Sequence, residues 1–191
     1  MILEGLVTTH DDAGRLNVAP MGPIVDASMS QLTLRPYQTS QTYQNLRARP
    51  QGVFHVVDDV LLLAEAAIGQ PTGPLPTQPA EKIDGTVLSD ACRWYEFEIT
   101  RFDDSDERTN LTARVVHMGR LRDFFGFNRA KHAVLEAAIL ATRVHLLPAA
   151  EIAAQIDALA IPVEKTGGER ERRAFELLRD YIERAEVSED T

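Results

Sequence analysis

The sequence predicts a mainly β domain, a sheet of about six strands within the ordinary range for a barrel, with a helical extension behind it. Up to about residue 121, short β-branched and apolar runs alternate with turn residues. From residue 129 onward the apolar residues recur at helical spacing. A length of 191 residues suits one good-sized domain, or a domain with an appendage. A chain of that size buries roughly 70% of its unfolded surface and needs neither disulfide nor structural metal to hold its fold.

Taken in order, Leu3 to Thr9, Leu16 to Met21 and Ser28 to Arg35 are strand-like, and Asp11-Asp12-Ala13-Gly14 is a hairpin turn between the first two. Ser40 is placed to cap a helix over Gln41 to Arg49, which Pro50 ends. Gly52 to Val57 is a buried strand, and Asp58 is expected to cap a helix through Leu61, Leu62 and Ala66. Gln70 to Ala80 holds four prolines and a glycine, which predicts a loop over the edge of a site. Arg93 to Phe102 and Asn110 to Leu121 are two longer strands joined by the charged turn Asp103 to Asp106. Ala130, Ala133, Val134, Ala137, Ala138 and Ala141 then line one helical face. Leu147 to Ala160 is a second helix. Phe175, Leu178, Tyr181 and Ile182 mark a third, with Thr166-Gly167-Gly168-Glu169 as its capping box. The boundaries that result are 1–124 for the barrel, 125–186 for the helical extension packed on the barrel or on a partner subunit, and 187–191 for a disordered tail.

Charge and composition narrow the function. There are 29 acidic against 20 basic residues, a net charge of -9, so the overall field repels nucleic acid. Cys92 stands alone, which excludes an intramolecular disulfide and Cys-cluster metal sites and fits a reducing cytoplasm. No basic stretch followed by an apolar run marks the first residues, and no segment is apolar enough for a bilayer span, so neither secretion nor a membrane partner is expected. No Gly-rich dinucleotide fingerprint, Walker loop, nucleophile elbow or helical His-Glu zinc motif occurs. The histidines, His10, His55, His117, His132 and His145, lack ligand spacing, so no metal is expected, and His55 reads as a satisfied core residue.

Two polar constellations stand out. The first runs from Arg35 through Thr39, Ser40 and Thr42 to Asn45, a strand end that delivers an arginine next to a hydroxyl-rich helix N-terminus. Free N–H groups, hydroxyls and a guanidinium fork are what a terminal phosphate requires. An ordinary Ser or Thr cap beside a solvated arginine accounts for the same residues equally well. The second is Phe127-Asn128-Arg129-Ala130-Lys131-His132, where Asn128 is an N-cap with three potentially cationic side chains behind it. Cations there oppose the helix dipole by roughly 0.3 to 1 kcal/mol each, so either an anion sits nearby or Arg129 and Lys131 reach acidic neighbours.

Asn17-Val18-Ala19-Pro20-Met21-Gly22-Pro23, Leu34-Arg35-Pro36-Tyr37 with Thr42 to Leu46, and Gly126-Phe127-Asn128-Arg129-Ala130-Lys131-His132-Ala133-Val134 carry a resemblance, with Lys165 to Gly168 extending it along nearly the whole chain. They resemble an uncharacterised family grouped with the flavin reductase-like, FMN-binding split barrels. The resemblance implies a homodimer of six-stranded split barrels with FMN at the subunit interface and a family-specific helical extension. It implies that Asn17, Ala19, Pro20, Met21 and Gly22 run past the isoalloxazine ring, and that Arg35, Thr39, Ser40 and Thr42 hold the phosphate. Asn45 would reach the ribityl chain, or else be a surface helix residue. Asn128, Arg129, Lys131 and His132 become candidates for a second anion or a substrate.

FMN would then carry hydride or electron chemistry and the protein would bind, orient and tune it, so no catalytic nucleophile is named. The activity implied is that of a flavin reductase-type oxidoreductase with a small-molecule redox partner. A non-catalytic FMN carrier or sensor, and a pterin-linked redox enzyme, are the alternatives.

Overall fold

The computed structural model describes residues 1–71 and 73–189. The chain divides into two compact units, Met1–Val57 with Pro74–Phe124, and Asp58–Gly73 with Phe125–Thr191. The segment 58–73, which the sequence boundaries place in the barrel, belongs instead with the helices.

The first unit is built on β1 (Gly5–His10), β2 (Leu16–Met21), β3 (Ile24–Val25), β4 (Gln31–Leu34), helix α1 (Gln41–Ala48) and β5 (Gln51–Val56). A small pair follows, β6 (Thr77–Pro79) with β7 (Thr86–Leu88), and then β8 (Arg93–Asp103) and β9 (Asn110–Arg120). Seven of these strands form one antiparallel sheet in the order β2-β1-β5-β8-β9-β4-β3.

Seven strands replace the expected six because one strand is broken in two. The register that pairs His10 with Leu16 and Gly5 with Met21 continues unshifted to an isolated bridge between Ile2 and Ile24. β2 and β3 are therefore halves of one bent strand, interrupted where Pro23 has no N–H to give the ladder. Leu3 N still donates to Pro23 O at 3.1 Å and Val25 N to Met1 O at 2.8 Å, so the strand pairs with residues 1–10 along its length. β3 also pairs with β4, and this curls the sheet back on itself into a barrel. Gly22 sits opposite Glu4 at this bend, where a Cβ would lie 2.6 Å from the flexible end of the Glu4 side chain.

The barrel interior holds Val7, Leu32, Leu34, Phe54, Phe97 and Leu111, all fully buried, where alternation along each strand sends every second side chain inward, and Leu46 of α1, equally buried, joins the same cluster. The expected hairpin turn at 11–14 is present: Gly14 takes φ +79° and its N–H reaches Asp11 O at 2.9 Å. The proline-rich stretch 70–80 is not wholly loop. Its end forms β6, with Pro79 opposite Thr86 in a two-stranded ladder where a missing N–H is tolerated.

The second unit comprises α2 (Val60–Ala67), α3 (Arg129–Ala141), α4 (Ala149–Thr166) and α5 (Glu169–Glu189). Ala130, Ala133, Val134, Ala137, Ala138 and Ala141 are buried along α3, as their spacing predicts, and Ile152, Ile156, Phe175, Leu178 and Ile182 complete the core. The cap of α2 is Asp59 rather than Asp58: its carboxylate accepts from Leu61 N at 3.1 Å and Leu62 N at 3.3 Å. Asp58 instead accepts from Phe125 N at 2.8 Å. Helix α4 runs past Ala160 and through Pro162, because buried Val163 and the Thr166 hydroxyl, which donates to Pro162 O at 2.8 Å, hold its last turn. Thr166 thus ends α4 and does not cap α5, whose start is marked by Gly168 N donating to the Glu171 carboxylate at 2.9 Å. α5 continues to Glu189, so residues 187–189 of the expected tail are helical, and 190–191 lie outside the described residues. Among the described residues no helix is long and apolar enough to cross a membrane.

Candidate functional site

The strongest candidate lies where β4 leads into α1. The β4–β9 ladder, which pairs Gln31 with Arg114 and Leu34 with Leu111, continues in the same register to a bridge between Tyr37 and Arg108. Thr109 donates to Pro36 O twice, from its N–H at 3.0 Å and its hydroxyl at 2.8 Å. Gln38 donates from its amide side chain to the carbonyls of Asp104 and Asp106, at 2.9 and 3.0 Å. The segment that carries Arg35 is thereby fixed at both ends, and Tyr43 in α1 adds a bond from its hydroxyl to the Asp104 carboxylate at 2.8 Å. That bond, with burial second, pushes the Tyr43 phenol above its ordinary value.

Ser40 is the N-cap expected of it: its hydroxyl accepts from Tyr43 N at 3.2 Å and donates to Tyr37 O at 2.7 Å. This leaves the amides of Gln41 and Thr42 without an intrahelical acceptor. Thr39 is exposed beside them. Arg35 is half-buried, and its Nε is enclosed with no hydrogen-bond partner, unlike any other buried side-chain N or O atom among the described residues. An unmet buried donor costs about 1 to 3 kcal/mol, so a sequence keeps one where a ligand or a conformational need accounts for it.

The neighbouring polar residues are partners to one another. Asn17 Nδ2 donates to Thr42 Oγ1 at 3.1 Å and to Thr9 Oγ1 at 3.3 Å, while Asn45 Nδ2 reaches the same Thr9 oxygen at 3.0 Å. Gln41 closes the group by donating to Asn45 Oδ1 at 2.6 Å. Thr42 and Asn45 are each only 2% exposed, so Asn45 is not a surface residue, and the cluster ties β1, β2 and α1 together. Ala19, Pro20 and Met21 are half-buried on β2, an end strand of the sheet where a proline breaks no inner ladder.

The second sequence cluster is divided by the structure. Asn128 caps α3, accepting from Lys131 N at 3.1 Å, and its amide donates to Thr166 O at 3.1 Å. Lys131 donates to Asp58 O at 2.6 Å, lies 3.9 Å from the Glu171 carboxylate and sits over the Phe125 ring at 5.2 Å. It is therefore held by its neighbours, as the second of the two sequence readings has it. Arg129 and His132 are exposed and line an open groove of about 550 Å³ with Phe127, Glu136, Leu159 and Pro162. The His132 ring is 6.0 Å from that of Phe127.

Two buried titratable groups in the barrel unit do structural work. His55, fully buried on β5, faces Leu6 O through Nδ1 at 3.2 Å and accepts from Leu88 N through Nε2 at 3.0 Å. Burial lowers its pKa to about 4, against the opposing pull of the Leu6 carbonyl. Glu96, on β8, is also fully buried and accepts from Glu81 N at 2.8 Å, Lys82 N at 2.7 Å and Trp94 Nε1 at 3.1 Å. Burial works to raise its pKa, but those donors and His117 prevail and hold it below the usual carboxylate value. Among the described residues no group of His, Cys, Asp and Glu is arranged to hold a metal ion.

Sequence reasoning missed Thr9, Asp104, Arg108 and Thr109. Each lies far along the chain from what it positions, and only the strand register reveals it.

Comparison with known proteins agrees with this architecture. A solved structure described as an FMN-bound protein of the DUF447 family from Methanosarcina mazei is 24% identical, with a TM-score of 0.79 over 94% of each chain. The 2-nitrobenzoate 2-nitroreductase of Pseudomonas fluorescens matches 61% of this chain and 64% of its own, at 18% identity and a TM-score of 0.53. The styrene monooxygenase flavin reductase of Pseudomonas putida matches 63% of this chain and 80% of its own, at 12% identity and a TM-score of 0.53. These likenesses establish a flavin reductase-like fold. No curated protein matches the sequence. Residues 3–122 match the model described as the N-terminal domain of a protein of unknown function, DUF447, and residues 128–180 match the second model of that name. The chain belongs to the DUF447 family.

Proposed function

We propose that this protein is an FMN-binding flavoprotein, acting as an oxidoreductase of the flavin reductase type. The observation that carries the reading is the enclosed, partnerless Nε of Arg35, five residues ahead of the N-cap of a helix whose first two amides lack intrahelical acceptors. That donor set suits a terminal phosphate. The FMN bound by the family member from Methanosarcina mazei supports the choice of ligand.

In this reading Arg35, Thr39 and the amides of Gln41 and Thr42 hold the phosphate, and Ser40, whose N–H and hydroxyl both go to Tyr37 O, caps the helix that aims those amides. Asn17, Ala19, Pro20, Met21 and Gly22 offer the backbone of β2 to the isoalloxazine edge. Thr42 and Asn45 act through Asn17 and Thr9, fixing β2 against α1 rather than touching the ligand with their side chains. Bound FMN supplies hydride or electron transfer to a small-molecule partner, while the protein binds, orients and shields it. A single donor cluster fits FMN better than FAD, whose pyrophosphate calls for a second cradle. The open side of β2 is the edge a second copy would cover, which makes the active species a homodimer.

The test is the visible spectrum of the purified protein, titration with FMN, FAD and riboflavin, and anaerobic reduction by reduced nicotinamides. Stoichiometric FMN binding and turnover are expected. Failure to take up flavin, or a strong preference for FAD, overturns the reading. Phe125 and Phe127, exposed by 81% and 94% in the helical unit, favour a second reading in which a partner protein docks there and the chain is an FMN carrier or sensor. Flavin binding without turnover would select it. Sedimentation showing monomer with flavin bound would remove the dimer.

A further inference from the structure

Arg108 has no part in the reading above, yet the register places it beside Arg35. From Gln31 to Tyr37 burial alternates strictly: Leu32, Leu34 and Pro36 face inward, while residues 31, 33, 35 and 37 face outward. Across the ladder, Thr109, Leu111 and Ala113 are the buried set, so Arg108 and Asn110 share the outer face with Tyr37 and Arg35. Asn110 falls opposite Arg35, and Arg108 opposite Tyr37. Arg35 and Arg108 are thus diagonal neighbours, at a spacing of roughly 7–8 Å in such ladders. The side chains agree with this placement. Arg108 Nε approaches Arg35 O at 3.4 Å, and its guanidinium carbon lies 5.8 Å from the centre of the Tyr37 ring.

Two like charges side by side need a reason in a chain of net charge -9. Of the carboxylates in the adjoining turn, Asp103 and Asp104 are engaged elsewhere, and neither Asp106 nor Glu107 forms an ion pair with Arg35 or Arg108 among the described residues. Asp103 accepts from Ser105 and faces Arg101, and Asp104 accepts from Tyr43 and faces Arg47. Neither Arg35 nor Arg108 has an ion pair among the described residues. A dianion bound to both would relieve the repulsion and satisfy the enclosed Nε of Arg35, and guanidinium forks suit phosphate oxygens.

We infer that Arg35 and Arg108 are the two jaws of one phosphate-monoester site, closed by the β8–β9 turn. The inference rests on the flavin reading only for the molecule that carries the ester. Riboflavin and FMN differ by that phosphate alone, so their affinity ratio isolates the site.

Dissociation constants for both flavins are measured by fluorescence quenching on the wild type, Arg108→Gln, Arg108→Lys and Arg35→Gln, alongside thermal melts in inorganic phosphate. Each Gln variant should lose about ten- to a hundredfold in FMN affinity, keep riboflavin affinity within about twofold, and lose the rise in Tm that phosphate gives the wild type. Arg108→Lys should recover part of the loss. An unchanged FMN-to-riboflavin ratio in Arg108→Gln, or an equal loss for both flavins, overturns the inference. If the wild type binds neither flavin, the flavin reading fails by itself and the phosphate melts decide: a rise lost in Arg108→Gln supports the site, and no rise overturns it.

Discussion

The N–H of Leu88 in β7 ends on Nε2 of His55 in β5, 3.0 Å away in a fully buried setting. That bond requires a neutral ring with its proton on Nδ1, facing Leu6 O. At the other end of the β6–β7 hairpin, the amides of Glu81 and Lys82 end on Glu96, which must be ionised to accept them well. One short hairpin is fastened to the barrel by an imidazole that must stay neutral and a carboxylate that must stay charged. His117 stands between the two conditions, 3.4 Å from the Glu81 carboxylate and tilted against the Trp94 ring at 6.0 Å.

Acid should therefore loosen the barrel unit. The folded pKa of His55, about 4, lies below its ordinary 6.5, so its contribution is fully present above pH 6.5 and is lost as the pH falls towards 4. Glu96 is depressed too, so its contribution is present above its ordinary 4.5 and is lost as the pH falls below that. The histidine alone is worth up to roughly 3 kcal/mol across that window. Urea unfolding at a series of pH values should show this slope, and His55→Gln, which keeps one donor and one acceptor, should flatten it. An equal slope in both proteins would refute the assignment.

Glu96→Gln should cost about 1 to 3 kcal/mol, because an amide NH₂ then meets N–H donors where a carboxylate oxygen accepted them. Trp94 is the sole tryptophan, so its emission reports the change directly. Amide exchange at Glu81 and Lys82 should quicken while that of the α3 amides does not.

Asn45→Ala should destabilise by a similar amount, about 1 to 3 kcal/mol, by stranding Thr9 and Gln41. Riboflavin and FMN affinity should fall together, since the residue places β2 and touches no phosphate. A fall confined to FMN would give Asn45 a direct role instead.

In the helical unit, Lys131→Gln should lower stability by about 1 to 2 kcal/mol through loss of its bond to Asp58 O and its pairing with Glu171. Arg129→Gln should stay within about 0.5 kcal/mol of the wild type, as exposed residues without partners do. Thermal melts of the two single variants separate these effects, and equal losses would contradict the division of the cluster.

Much of the fold was legible because local chemistry and tertiary fate coincide. The strand that ends at Arg35, the Ser40 cap and the alanine face of α3 are each written in adjacent residues. The failures have equally particular causes. β3 is hidden because Gly22-Pro23 looks like a turn, although the register runs through it. Prolines conceal β6, whose ladder is too short for the missing N–H to matter. Asp58 and Asp59 are indistinguishable as caps until Phe125 claims the former. Pro162 should end a helix, and it fails to because Val163 and Thr166 bind the turn beyond it. For the site, Arg35 and Ser40 were legible as donors. Thr9, Arg108 and Thr109 were not, since pairing across the ladder is invisible without a register.

The bent β2–β3 strand bears on the order in which the barrel assembles. Its ring is joined at one seam by a hairpin confined to the first 25 residues, whereas β4 must find β9 across most of the barrel unit. Loop-closure entropy makes the hairpin early and the β4–β9 pairing late. The phosphate site inferred for Arg35 and Arg108 spans that late rung, so it would come into being only as the cylinder completes. A variant at Thr33, opposite Thr112, should alter the folding rate less than the unfolding rate, while one in the β1–β2 turn should do the reverse; stopped-flow kinetics would show which. Ligand capture would then be a report of finished folding, available to no earlier intermediate.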